Sequence, residues 1–114
     1  MRRSIFLTSE VNANSTDTET SPKIQNGKTW VVEKVGFTEP ILDIYGYSSE
    51  FALQWGSSGN WDDIRIAAIA GNTIEMTINE SFIGDGTKRF RMIRKNNSDL
   101  DKRLGLWIIA YEKS

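Results

Sequence analysis

The sequence predicts an all-β chain, an antiparallel β-sandwich of eight or nine strands with the character of a jelly roll. Segments rich in β-branched and aromatic residues recur about every ten residues with turn residues between them, which is the pattern of a sandwich. Eight strands in two sheets make a jelly roll. The last strand, residues 104–111, adds a third observation. Leu104, Leu106, Ile108 and Ala110 point one way, and Trp107, Ile109 and Tyr111 the other. An antiparallel strand with one wet face alternates apolar and polar, so both faces of this strand are expected to be dry. The opposing sheet covers one. The other needs a crossing loop, the N-terminal segment or a neighbouring copy.

Residues 3–11 read as the first strand, with Ile5, Leu7 and Val11 on one face and Ser4, Phe6, Thr8 and Glu10 on the other. Residues 12–21 are polar and short-chained and are expected to form a solvated loop. Asn26-Gly27 between residues 22–25 and 28–35 is the signal of a two-residue hairpin, because Asn-Gly tolerates the positive φ angles such a turn requires. Residues 41–47 and 51–55 read as two further strands. Residues 56–60 read as a loop flanked by Trp55 and Trp61. Residues 61–70 are ambiguous: a helix capped by Asn60 and ended by Gly71, or a strand. The strand is preferred, since Gly71-Asn72 suits a tight turn and Ile74, Met76 and Ile78 then alternate with Glu75 and Thr77. Residues 81–83 form a short bridge to the turn Gly84-Asp85-Gly86. Residues 88–95 are a strand with Phe90 and Met92 inward and Arg89 and Arg91 outward, its tail bulged where Ile93 breaks the alternation.

At 114 residues the chain is expected to be one domain, 1–114. Its 39% hydrophobic and 25% charged residues are ordinary for a globular protein, and 11% aromatic residues, four of them Trp, supply large side chains for a core or an interface. A net charge of −1 gives no global pull toward nucleic acid or anionic membranes, so neither is expected as a partner. There is no cysteine and no histidine, which removes thiolate chemistry, the commonest general base and the usual transition-metal ligands. The basic start Met1-Arg2-Arg3 leads into only three apolar residues, short of a secretory signal, and no run approaches a membrane span. Synthesis in the cytoplasm without a signal peptide is therefore expected.

Three groups of residues are candidates for a site. Trp55, Asn60, Trp61 and Asp62 could form a glycan cleft in which indole rings stack on sugars and the polar side chains meet hydroxyls; alternatively both Trp are core. The basic run holding Lys88, Arg89, Arg91 and Arg94 can meet phosphates, but with Phe90 as its one aromatic it reads better as a solvated face or a stripe that pairs with an acidic protein surface. Asp85, Asp99 and Asp101 could in principle hold Ca²⁺, but no EF-hand loop is present and surface turns collect Asp, so no metal or cofactor is expected. Catalysis would have to use carboxylates, Tyr or Lys in a chain with little length to build a cleft, so no enzyme is expected.

Asn26-Gly27-Lys28-Thr29-Trp30 after a polar stretch, residues 84–89 before a basic strand, and residues 106–112 at the end together resemble the small jelly-roll virion proteins of tailed bacteriophages. The resemblance lies in the order of elements. It implies a head-decoration (cement) or fibre-type protein of the virion that self-associates, often as a trimer, through Trp107, Ile109 and Tyr111 and grips a shell protein through its basic stripe. The alternative is a carbohydrate-binding module using the Trp55–Trp61 loop.

Overall fold

A computed structural model describes residues 1–39 and 49–114, and every regular element in them is a strand. They are β1 (Ile5–Val11), β2 (Ser15–Thr20), β3 (Thr29–Thr38), β4 (Ser49–Ser57), β5 (Asn60–Ile69), β6 (Thr73–Ile83), β7 (Arg89–Asn96) and β8 (Lys102–Lys113). The strand expected at residues 41–47 lies outside the described residues. Two four-stranded antiparallel sheets form, ordered β1-β8-β3-β6 and β2-β7-β4-β5. The chain changes sheet at every connection except β4–β5. That alternation is the jelly-roll winding, so the all-β sandwich read from the periodicity is the fold.

Between the sheets lies a dry core. Val32, Val35, Phe37, Leu53, Phe90, Leu104, Leu106, Ile108 and Ala110 have no exposed surface. Around Phe90 the rings of Trp55 (4.8 Å), Phe82 (5.1 Å) and Trp30 (5.6 Å) close one end of the core in tilted and edge-on arrangements, the geometries that ring quadrupoles favour. β8 runs between β1 and β3, and its row Leu104, Leu106, Ile108 and Ala110 is the floor of the sandwich.

Five local expectations are corrected. Residues 12–21 are not all loop: β2 pairs with β7 from Ser15↔Asn96 to Thr20↔Arg91. It needs no apolar residue because it is an edge strand, and its inward Asp17 is satisfied by Arg94 at 2.8 Å. Asn26-Gly27 does make a turn, with φ +87° at Gly27 and the Lys28 amide donating to the Gln25 carbonyl at 3.1 Å. It is not a strand hairpin, because residues 22–25 cross the end of the sandwich. There Ile24 is buried, its amide donates to the Lys88 carbonyl at 2.9 Å, and its carbonyl accepts from the Gly86 amide at 2.9 Å. The two-residue hairpin belongs instead to the expected loop 56–60, where β4 and β5 pair as far as Ser57↔Asn60 and turn at Ser58-Gly59. Residues 81–83 are the end of β6, with Phe82 in the core. β7 keeps one register along β2 and β4 and carries no bulge at Ile93. Its inward positions are Phe90, Met92, Arg94 and Asn96, so alternation holds while polarity does not. Residues 60–69 are strand, as preferred over the helix.

Candidate functional site

Each sheet turns one face to solvent, and the two faces differ in chemistry. On the β1-β8-β3-β6 sheet, β8 sends Trp107, Ile109 and Tyr111 outward. Trp107 and Ile109 are half-buried and Tyr111 is 38% exposed. Phe6, directly opposite Trp107 on β1, is 63% exposed. Gly36 is opposite Trp107 on the other side, and a Cβ there would sit 2.0 Å from the indole, so the ring lies in a notch that only glycine provides. The Trp107 indole N–H donates to Glu75 Oε2 at 2.8 Å, and Glu75 also pairs with Lys34 at 3.7 Å. Arg2 and Glu33 face each other at 3.8 Å. An apolar row of Phe6, Trp107, Ile109 and Tyr111 therefore lies open, with one balanced ion pair contributed by Lys34–Glu75 and another by Arg2–Glu33.

On the β2-β7-β4-β5 sheet the outward row is polar near the β4–β5 hairpin and apolar further along. A cleft of about 410 Å³ is lined by Thr18 and Thr20 of β2, Ser58 and Gly59 of the turn, Trp61 of β5, and Arg89 and Arg91 of β7. The Arg91 guanidinium lies 4.4 Å over the Trp61 ring, a cation–π contact, and its Nε donates to Gln54 Oε1 at 2.7 Å. Gln54 in turn donates through Nε2 to Asp63 Oδ1 at 2.8 Å. Beside it is a groove of about 480 Å³, where Ala52, Ile66, Ala68 and Ile93 lie between Glu50 and Lys95. The Asn97 side-chain amide donates to Glu50 and, with Lys95 at 3.5 Å, holds its carboxyl below the usual range.

The expected sites are divided by strand alternation. Trp55 is in the core against Phe82 and Phe90, so the two-tryptophan glycan cleft does not form. Asp62 pairs with Trp55 and so shares its side of the sheet, while Trp61 emerges on the other. Asn60 and Asp62 are exposed, away from the cleft that Trp61 lines. Of the basic stripe, Arg89 and Arg91 line that cleft and Lys88 is exposed just before β7. Arg94 is a correction: it is 2% exposed, turned into the sandwich, and cannot serve a partner-facing stripe. Thr18, Thr20, Gln54, Phe6 and Gly36 are additions. Gln54 was legible in principle, as the polar residue between inward Leu53 and Trp55; the threonines were hidden in a stretch without an apolar period.

The aspartates do not converge. Asp85 precedes β7, whereas Asp99 and Asp101 follow it, and each is engaged locally. Asp85 Oδ1 accepts from the Lys88 and Thr87 amides and the Thr87 hydroxyl, which lowers its pKa to about 2. Asp99 accepts from the Asn14 side chain and Asp101 from the Ala13 amide. Glu112 accepts from the Trp30 indole at 3.0 Å and from Arg3, and is held below the usual carboxylate range. Among the described residues no group of three or more acidic, His or Cys side chains could hold a metal ion, and no helix is long and apolar enough to cross a membrane.

No family model matches the chain, and no curated protein sequence matches it. Solved structures do align with it. A structure of PirA superposes with a TM-score of 0.53 at 14% identity, covering 91% of this chain and 92% of that one. A structure described as "CBM4 structure and function" gives 0.43 at 13%, covering 96% and 83%. A pentameric capsid protein isolated from metagenomic phage sequences gives 0.39 at 11%, covering 91% and 61%. These likenesses concern the fold. The resemblance read from the sequence holds at the level of architecture, that of two four-stranded sheets wound as a jelly roll.

Proposed function

We propose that the chain is a non-catalytic structural module that self-associates through the outer face of the β1-β8-β3-β6 sheet, as a decoration (cement) or fibre-type component of a virion. The observation that carries this reading is the open row Phe6, Trp107, Ile109 and Tyr111 on the one sheet face whose central strand has no polar side chain between Leu104 and Tyr111. Apolar side chains in contiguous rows gain about 25 cal/mol for each Å² removed from water. A second copy is the occupant the face suits best. Its ion pairs, Lys34–Glu75 and Arg2–Glu33, present both signs, so another copy of the same face can set cation against carboxylate around an apolar centre. In the virion reading the assembly is a trimer seated on a shell protein.

Sedimentation equilibrium at micromolar concentration tests it. The wild-type chain is expected to sediment as an oligomer, and Ile109→Asp or Phe6→Asp as a monomer. Phe6→Asp is the cleaner variant, since Phe6 is 63% exposed and contributes little to the core. A wild-type chain that sediments as a monomer would refute the proposal.

A further inference from the structure

We propose that the cleft between the β4–β5 hairpin and β7 binds an acidic carbohydrate, specifically a pyranose bearing one carboxylate. This goes beyond self-association and rests on the opposite sheet. The first argument is what lines the cleft. Seven residues contribute, two of them arginines and none of them acidic. Such a surface favours an anion.

The second argument is which donors are already in use. Arg91 is partly engaged: its guanidinium lies 4.4 Å over the Trp61 ring and its Nε is tied to Gln54, while its terminal amino groups have no partner among the described residues. Arg89 is half-buried on the same side of β7, two residues away, and has no hydrogen bond or ion pair among the described residues. Trp30 and Trp107 each give their indole N–H to a glutamate; Trp61 gives its own to nothing among the described residues. Nor do the hydroxyls of Thr18, Thr20 and Ser58 have a partner there. The free inventory is the Arg89 guanidinium, the terminal amino groups of Arg91, an indole N–H and three hydroxyls.

That inventory selects the ligand. The planar fork of Arg89 matches a planar carboxylate, and the neutral donors beside the cations suit a ring carrying hydroxyls better than a bare phosphate. The neutral donors, spread over β2, the turn and β5, match a ring carrying several hydroxyls. The Trp61 indole, which lines the cleft with Arg91 4.4 Å over its ring, supplies an aromatic surface against which the sugar's C–H face can lie. Gly59, at φ +76°, gives the turn its tight shape and adds no side chain to the mouth of the cleft.

The test is a titration of the ¹⁵N-labelled protein, read at the Trp61 indole N–H, with a trimer of galacturonic acid, with the neutral galactose trimer, with inorganic phosphate and with a single-stranded oligonucleotide. The expected result is a saturable shift of the Trp61 signal with the acidic trimer alone. Arg89→Ala and Trp61→Ala are each expected to weaken binding at least tenfold, and Arg89→Lys, which keeps the charge but loses the fork, by several-fold. If a variant fails to fold, the wild-type titration still decides. Absence of a saturable shift overturns the proposal, as does equal binding of the neutral trimer. Phosphate or the oligonucleotide displacing the acidic trimer at equal concentration would show a bare anion site instead and overturn it too. Oligomeric state does not enter these readouts, so failure here is distinct from failure of self-association.

Discussion

Among the described residues Arg94 is the most deeply buried charged side chain. It is 2% exposed, and its guanidinium donates to Asp17 Oδ2 at 2.8 Å, the Leu104 carbonyl at 2.7 Å and the Ser9 hydroxyl at 2.8 Å. It thereby ties β7 to β2 within one sheet and to β1 and β8 of the other, at a position where its neighbours along the inner face of β7 are Met92 and Asn96. A buried cation of this kind costs several kcal/mol in lost hydration, and only full pairing offsets that. Arg94→Ala is expected to lower unfolding stability by about 1–3 kcal/mol, because the Leu104 carbonyl then loses its donor in a dry place, while Asp17, partly exposed, is rehydrated. Arg94→Met, which fills the volume, is expected to cost less than Arg94→Ala. Urea unfolding followed by tryptophan fluorescence measures both. Equal stability of Arg94→Ala and wild type would mean that water replaces the guanidinium at no cost.

At the scale of elements, what the sequence made legible depended on whether a strand's inner row was apolar. β8, β4 and β3 were readable because Leu104, Leu106 and Ile108, then Phe51, Leu53 and Trp55, then Trp30 and Val32 mark their inward sides. β2 was not, since its pairing is made by backbone and by Asp17, whose partner lies 77 residues away. The hairpin was placed at the wrong glycine for a similar reason: Asn26-Gly27 and Ser58-Gly59 are both good turns, and only the sheet to which each flanking segment belongs separates a crossing from a hairpin. The aromatic face of β8 was legible, but not its seat. Gly36 reads in the sequence as the start of a turn, and only the fold shows that it lies within β3 and receives the Trp107 ring. Gly36→Ala is expected to destabilise by about 1–3 kcal/mol, since the added methyl must displace the indole and break its bond to Glu75. In a double-mutant cycle Trp107→Ala should absorb most of that cost, leaving a coupling near the single-mutant value. Additive effects would mean that the backbone of β3, and not the ring, resists the methyl.

For the molecule as a whole, the consequence of a sandwich is that the two solvent faces point in opposite directions. Copies joined through the row at Phe6, Trp107, Ile109 and Tyr111 would leave every cleft at Trp61, Arg89 and Arg91 turned outward and unobstructed. The two readings then multiply: an oligomer presents several weak sites at once, and a polymer bearing a carboxylate on each ring can engage them together. Linked binding of this sort raises apparent affinity by about 10²–10⁴ without any new contact, provided the ligand spans the sites. Phe6→Asp, expected to be monomeric, should therefore bind the galacturonic acid trimer as the wild type does, yet lose about a hundredfold or more in apparent affinity for immobilised polygalacturonate. Biolayer interferometry on a polymer-coated surface, beside the trimer titration in solution, measures the two quantities. Loss of both affinities in Phe6→Asp would mean that the cleft is shaped by assembly, and loss of neither that the copies do not act together.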